Sequence, residues 1–532
     1  MDSVTEAQAA AQGWLAAHRA ALSADHMHLW RLAEPAWREY RSAAWFVDRL
    51  RREGFEVEAG TAGMPTAFKA IWRNGAGPVL ANIAEYDAVP GQSQEPVAER
   101  RPRAGTHRHA AGHTDPHSAL GMAALAGTLA AKHAMERHGI GGTLVLMGEP
   151  AEKMCGSKPV HAAHGCLDGF DAAVSFHPTS LPALANSCLW DTHCGTYWSR
   201  LYVFECLDPQ DWVGAMAREG AQNSHAIARA PGALDAAVML VTQGRMLRPS
   251  MLPQTGAWSL NEAILVAGQA TADNLAPGLG VVQYALRAPQ VPMQEKVWAV
   301  LDMAAEHVAA MTQCTLRTEW VTKTRPGLAN RSLASVAFRA FRKAGPPQWS
   351  DAARAFAREL QRAVGVEEAE DPFPEAIQVL TPPAIAEERI RAQIPPWQTN
   401  YTSDDYVEYT WHCPTVRLYV GRPQLRAPRP GWVCPPWAYN ALGGVPACID
   451  PMWLKGAEVT ALTFLELLED PATLAACRRE FEERTGGGVG GANWMPPLLP
   501  RDFAAPIHHR WPEYVTTPRA GGEYSVADGA PG

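Results

Sequence analysis

Apolar residues recur near helical spacing across residues 4–53, at Leu29, Leu32, Ala36, Phe46 and Leu50 among others, with Pro35 as a break and Gly54 as a stop. Two short runs follow, 66–73 and 78–84, and both predict strands. The second leads into EYDAVPG, a charged strand end and a Pro-Gly turn. Residues 92–111 are polar and Arg-rich and predict a loop, and 117–138 predict a long Ala-rich helix ending near His138-Gly139. TLVLMG (143–148) is a short apolar run of the buried-strand kind. A helix near 156–165 and a strand at 171–176 come next. Alternating strands and helices are the rhythm of an α/β fold with a mostly parallel sheet flanked by helices.

The pattern changes near residue 195. YWSRLYVFEC alternates like an exposed antiparallel strand. A helix around 232–247, strands near 257–266 and 280–287, a helix at 294–311 and a strand at 313–321 predict an inserted α+β domain over 195–322. The α/β part therefore falls in two pieces, 1–194 and 323–485, with helices predicted at 331–344, 351–364, 452–468 and 472–484. His161 and His164 lie i,i+3 on their helix and are read as solvated, while His193 and His412 are read as structural. Residues 421–447 are rich in Pro and Gly and predict a long irregular insertion. The tail, 486–532, lacks periodicity and is expected to wrap the surface or stay partly disordered.

Composition narrows the classes. Of 532 residues, 47% are apolar and 19% charged, a globular balance. A formal net charge of −8 argues against nucleic acid or an anionic membrane as partner. No stretch reaches the 18 or so apolar residues of a membrane span. The first residues, MDSVTEAQAAAQGWLAAHRA, read as an amphipathic helix and not as a signal peptide. Ten scattered cysteines form no CxxC pair, so a zinc ribbon is not expected; the chain reads as cytoplasmic with reduced thiols.

The candidate chemistry lies within 85–178. Asp115 and His117 stand two apart in GHTDPHSALG, just ahead of a predicted helix. Glu149 and Glu152 sit in GEPAEK after a buried strand, and His177 in SFHP at the end of the next. Sites in open α/β sheets form beyond the carboxyl ends of the strands. Carboxylates and imidazoles meeting there are ligands for a divalent transition ion. The alternative is that they are ordinary polar loop residues.

AEYDAVPG, GHTDPHSALG, GGTLVLMGEPAEK and SFHP together resemble the zinc aminoacylase and carboxypeptidase G metallopeptidase family, in particular the amidohydrolase subgroup that contains p-aminobenzoyl-glutamate hydrolase. EPAWREYRS, GMPTAFKA, LRAP and YTSDDYVEYTW have counterparts in the same order, so the resemblance covers roughly residues 25–470. It implies a catalytic α/β domain, an inserted lid used for dimerisation, and two metals bridged by one ligand. Carried over residue by residue, it makes His117 and His177 metal ligands, Asp115 the former bridge and Glu152 the general base. Two departures fall on the second metal. Lys153 replaces its Glu, and residues 413–507 contain no histidine, with Pro435-Pro436 near the expected place. The implied centre then holds one divalent ion, zinc or manganese, on Asp115, His117 and His177, with Lys153 supplying the second charge. His225, with Asn223 beside it in NSHA, is expected to reach substrate in a partner's site, and Arg287 to bind a substrate carboxylate. His113 would orient ligands, and Asp87 would brace the metal loop.

These readings converge on a metal-dependent hydrolase of a C–N bond in a small molecule, such as the amide of an N-acyl or aryl amino acid. Water would be deprotonated by Glu152. One alternative is an aminohydrolase of nitroanthranilate type, deaminating an activated aromatic amine. Another is a non-catalytic binding protein on the same fold. The expected partners are a small-molecule substrate and further copies of the chain, as a homodimer or higher homo-oligomer.

Overall fold

The computed structural model describes residues 3–207, 231–252, 258–268 and 277–508. Its strands are β1 (Glu56–Ala59), β2 (Phe68–Asn74), β3 (Val79–Ala84), β4 (Gly142–Gly148), β5 (Ala172–Thr179), β6 (Ser187–Cys188), β7 (His193–Glu205), β8 (Ser259–Ala267), β9 (Leu279–Ala288), β10 (Thr315–Lys323), β11 (Asn400–Ser403) and β12 (Thr415–Gly421). The first sheet has the order β1-β2-β4-β3-β5-β12-β6. Its four middle strands run parallel, and β1, β2 and β6 join antiparallel at the margins. The strands β3, β4 and β5 are buried along nearly their whole length, as parallel strands covered on both faces must be.

One face carries the helices Glu6–Leu32, His117–His138 and Pro446–Glu469. The second of these is buried on almost every side, which its small residues allow. A Cβ at Gly127 would lie 2.8 Å from the Ala457 carbonyl oxygen, so glycine sets the approach of the last two helices. The second sheet, β10-β7-β9-β8, is antiparallel and packs the helices Ala233–Met251 and Val291–Met311 into a core of its own. β11 adds a fifth strand to this sheet, pairing parallel with the start of β7.

Four expectations are corrected. The strand β7, expected to be exposed, is buried along nearly its whole length, because helices cover one face of its sheet and the α/β part covers the other. The strand β12, between β5 and the margin strand β6, was not predicted at all. The 421–447 stretch holds a helix, Pro436–Gly443, and the following helix starts at Pro446, earlier than the spacing indicated. His161 is buried, not solvated: its Nδ1 lies 2.9 Å from Glu149 and its Nε2 2.8 Å from Thr61. His164, half-buried, donates to the Phe503 carbonyl, and Leu499 packs under the inserted sheet, so the tail wraps the molecule as far as it is described. The ten cysteines are free, and among the described residues no helix is long and apolar enough to cross a membrane.

Candidate active site

The site is built where β3, β4 and β5 end side by side. β3 delivers Glu85 and Asp87, both fully buried. His117, the first residue of its helix, points its Nδ1 at Asp87 Oδ1, 2.7 Å away. A carboxylate acceptor places the proton on Nδ1 and leaves the Nε2 lone pair facing the cleft. The Nδ1 of His177 donates to the Pro178 carbonyl at 2.7 Å, which fixes the same tautomer there.

β4 leads into a sharp reversal. Ala151 (φ 56°) and Cys155 (φ 50°) both adopt the left-handed region, and the turn Glu152–Met154 lies between them. Side chains with a Cβ resist this conformation, so the turn needs bracing. Glu39 supplies it, accepting from the Ala151 N–H at 2.7 Å and the Thr66 hydroxyl at 3.1 Å. Asp87 adds a second brace through the Lys153 N–H, at 2.8 Å. Glu149 faces away from the cleft and is held by His161 and by the Tyr409 hydroxyl.

Lys153 is the centre of the cluster. Its Nζ lies 2.7 Å from Asp115 Oδ2, 2.6 Å from His117 Nε2 and 3.5 Å from Glu152 Oε2. Burial alone would lower the lysine pKa, but Asp115 and then Glu152 outweigh it and hold the ammonium charged. Burial likewise pushes the carboxyls of Asp115 and Glu152 up, and Lys153 followed by His117 brings both well below the carboxylate range. For His117, burial and Lys153 oppose a second proton, but Glu152 and Asp115 outweigh them and push its pKa up to about 10, still below that of the lysine. Were both nitrogens protonated, two donors would face each other at 2.6 Å. The pair therefore shares one proton, and lysine, the stronger base, keeps it.

Further charges lie below and beside this cluster. Lys158 is fully buried between Glu85 at 2.9 Å and Asp405 at 2.6 Å. Arg417, in the middle of β12, pairs with Asp404 and lies 3.8 Å from Glu85. Arg422, just past β12, donates to the Thr114 carbonyl, stacks on Tyr439 and brings a guanidinium nitrogen to 3.9 Å from Asp115 Oδ1. A cleft of about 560 Å³ opens over the cluster; Asp115, Glu152, Lys153, His177, Arg287 and Arg422 are among the residues lining it. Arg287, from β9, stacks on Tyr197 and donates to the Ser403 hydroxyl at 2.6 Å and its carbonyl at 2.9 Å.

The sequence-named Asp115, His117, His177, Glu152, Lys153 and Arg287 thus share one site. His225 and Asn223 lie outside the described residues. His113 is buried, and burial keeps it neutral. Sequence reasoning missed Glu85, Lys158, Arg417 and Arg422. Glu85 stood in the same EYD motif as Asp87. Arg417 belongs to a strand that was not predicted, and Arg422 opens the 421–447 stretch, which was read only as an irregular insertion.

The donor types gathered here are those that ligate transition ions. Asp115 Oδ2 lies 3.5 Å from His117 Nε2 and 4.0 Å from His177 Nε2. Donor atoms of Glu85, His117 and His177 also lie within 4.8 Å of one another, as do those of Asp87, His117 and Glu152 and of Glu152, Asp404 and Asp405. The place between Asp115 and His117 does not suit an ion, because the Lys153 ammonium already contacts both.

Fold and cluster define the class: an α/β protein with an inserted antiparallel domain and a charged site beyond the carboxyl ends of its parallel strands. No protein-family model matches the chain. It is 28% identical to a component chain of p-aminobenzoyl-glutamate hydrolase from Escherichia coli (strain K12) over 333 residues, 63% of this chain and 64% of that one. It is 25% identical to the Xaa-Arg dipeptidase of Mus musculus over 55% of this chain and 60% of that one. Both matches span less than two thirds of the relative's length. Among solved structures, aminobenzoyl-glutamate utilization protein from Klebsiella pneumoniae aligns over 86% of this chain and 97% of its own, with 13% identity and a TM-score of 0.48. The resemblance read from the motifs is borne out by the hydrolase relative.

Proposed function

We propose that the chain is an amidohydrolase that cleaves the C–N bond of an N-acyl or aryl amide of an amino acid. The observation that carries this is the placing of Glu152 in the lining of the cleft, its carboxylate 3.5 Å from the Lys153 ammonium. Similarity to a p-aminobenzoyl-glutamate hydrolase chain supports the substrate class. A substrate carboxylate would meet Arg287, and the scissile carbonyl would lie over Glu152 and Lys153. Glu152 takes a proton from water, the water oxygen adds to the carbonyl carbon, and Lys153 offsets the charge forming on the carbonyl oxygen. Glu152 then passes the proton to the leaving nitrogen, the C–N bond breaks, and acid and amine result.

The finer reading, one zinc or manganese ion on Asp115, His117 and His177, has its donors gathered but two of them held by Lys153. His225 and Asn223 are proposed as substrate contacts from a partner copy. Ten free cysteines suit a reducing, cytoplasmic setting.

The test is incubation of the purified chain with N-acyl amino acids, p-aminobenzoyl-glutamate and an activated aromatic amine. Amine plus acid should appear from an amide. Glu152→Gln should fold normally and turn over about 10²–10⁴-fold more slowly. Ammonia released from the aromatic amine, with no amide cleaved, would replace this reading with deamination. No turnover of any of them would favour a binding role.

A further inference from the structure

His117 Nε2 has one lone pair, because its Nδ1 carries the proton given to Asp87. That lone pair accepts from Lys153 at 2.6 Å. A metal ligated by His117 would sit about 2 Å from the same nitrogen and need the same lone pair. Asp115 is engaged in the same way. Its Oδ2 lies 2.7 Å from the Lys153 ammonium, and its Oδ1 lies 3.9 Å from the Arg422 guanidinium. Both oxygens of this carboxylate therefore face cations belonging to the chain itself. An ion held by both Asp115 and His117 at ordinary ligand distances could lie no farther than about 3 Å from the ammonium where it now stands. Like charges at that separation repel strongly in a part-buried site.

Lys153 is also firmly placed. Its backbone N–H is anchored on Asp87, the carboxylate that orients His117, so one residue positions both the lysine and its acceptor. Arg422 is fixed by the Thr114 carbonyl, next to Asp115, and by the Tyr439 ring.

We propose that Lys153 is the resident cation of this centre, occupying with Arg422 the two sides of Asp115 where metal ions would otherwise bind, so that the Asp115–His117 pair is closed to a divalent ion. A tethered ammonium on the cleft wall can offset negative charge on a reacting oxygen without a dissociable cofactor. The inference uses the hydrolase reading for what the cation does; its presence is tested without any substrate.

The full chain is stripped with EDTA, desalted and titrated calorimetrically with zinc chloride and, separately, manganese chloride. Lys153→Met removes the competing charge and frees the His117 lone pair. It should bind one ion at least about tenfold more tightly than the wild type. A smaller gain, no gain, or tighter binding by the wild type overturns the proposal. Circular dichroism checks the variant's fold, and Lys153→Gln, which keeps a donor toward Asp115 without the charge, replaces it if the methionine variant does not fold. If neither folds, wild type prepared without chelator decides. Stoichiometric zinc or manganese retained through gel filtration overturns the proposal, and protein free of both supports it. Substrate turnover enters none of these readouts, so failure of the hydrolase reading remains separate.

Discussion

Burial dictates the chemistry of single residues well beyond the cleft. His26 and His193 are interior rings, and desolvation lowers both to a pKa of about 3. An unfolded histidine titrates near 6.5, so between those values the unfolded chain binds more protons than the folded one. The stability these neutral rings permit is complete above about pH 6.5 and is lost as the pH falls toward 3. Each ring should remove about 2 kcal/mol between pH 7 and pH 5. Urea denaturation at the two pH values checks this, and His26→Gln should lose about 2 kcal/mol less than wild type over the interval. An equal loss in the variant would show that His26 is not the origin. Legibility at this scale was uneven. Asp115, His117, His177 and Glu152 were visible because their motifs stand at strand ends. The Lys153 contact with His117 was not, since no spacing rule says which donor fills an acceptor's lone pair.

Among elements, the helix His117–His138 carries the most consequence, because it presents His117 and packs closely on Pro446–Glu469. Alanine or valine at Gly127 would improve helix propensity by up to about 1 kcal/mol in isolation. Contact decides against it, because the new Cβ meets the backbone oxygen of Ala457 at 2.8 Å and backbone cannot step aside cheaply. Gly127→Val should destabilise the protein by about 1–3 kcal/mol, read from the urea midpoint. A midpoint equal to wild type would mean that the helices separate freely. The helix itself was legible from its Ala-rich run and terminal Gly139. The strand β12 was not, because Arg417 interrupts its apolar run. That arginine is buried and neutralised by Asp404, an ion-pair partner supplied by the segment just after β11. A charge in a strand reads as exposure until its partner is placed.

For the whole molecule, assembly through the inserted sheet is our expectation. Among the described residues β8 is an edge strand of that sheet, with Ile264 exposed on it and Met246 and Leu279 also exposed. Open edges with apolar side chains pair with further copies, most often about a two-fold axis. Sedimentation velocity should give a dimer, and Ile264→Arg should give a monomer. Mixing Glu152→Gln with His225→Ala should then restore amide cleavage, since hybrid dimers contain one intact site. A wild type that sediments as a monomer, or mixtures without recovered activity, would remove this arrangement.

By itself the sequence determined the alternation of strands and helices, the presence of a second, antiparallel set of strands and the loops that carry the charged residues. These follow from local periodicity and from turn residues, which act over a few positions along the chain. Tertiary structure alone decided that Glu39 braces the turn before Glu152, that Arg417 and Lys158 lie under Glu85, and that Arg422 reaches Asp115. Each of these joins groups far apart in sequence, and each depends on desolvation, which makes a buried charge find a partner wherever the fold provides one. The same reason explains the lysine at the centre. The resemblance implied a carboxylate where Lys153 stands, but only the folded chain shows its ammonium between Asp115 and His117.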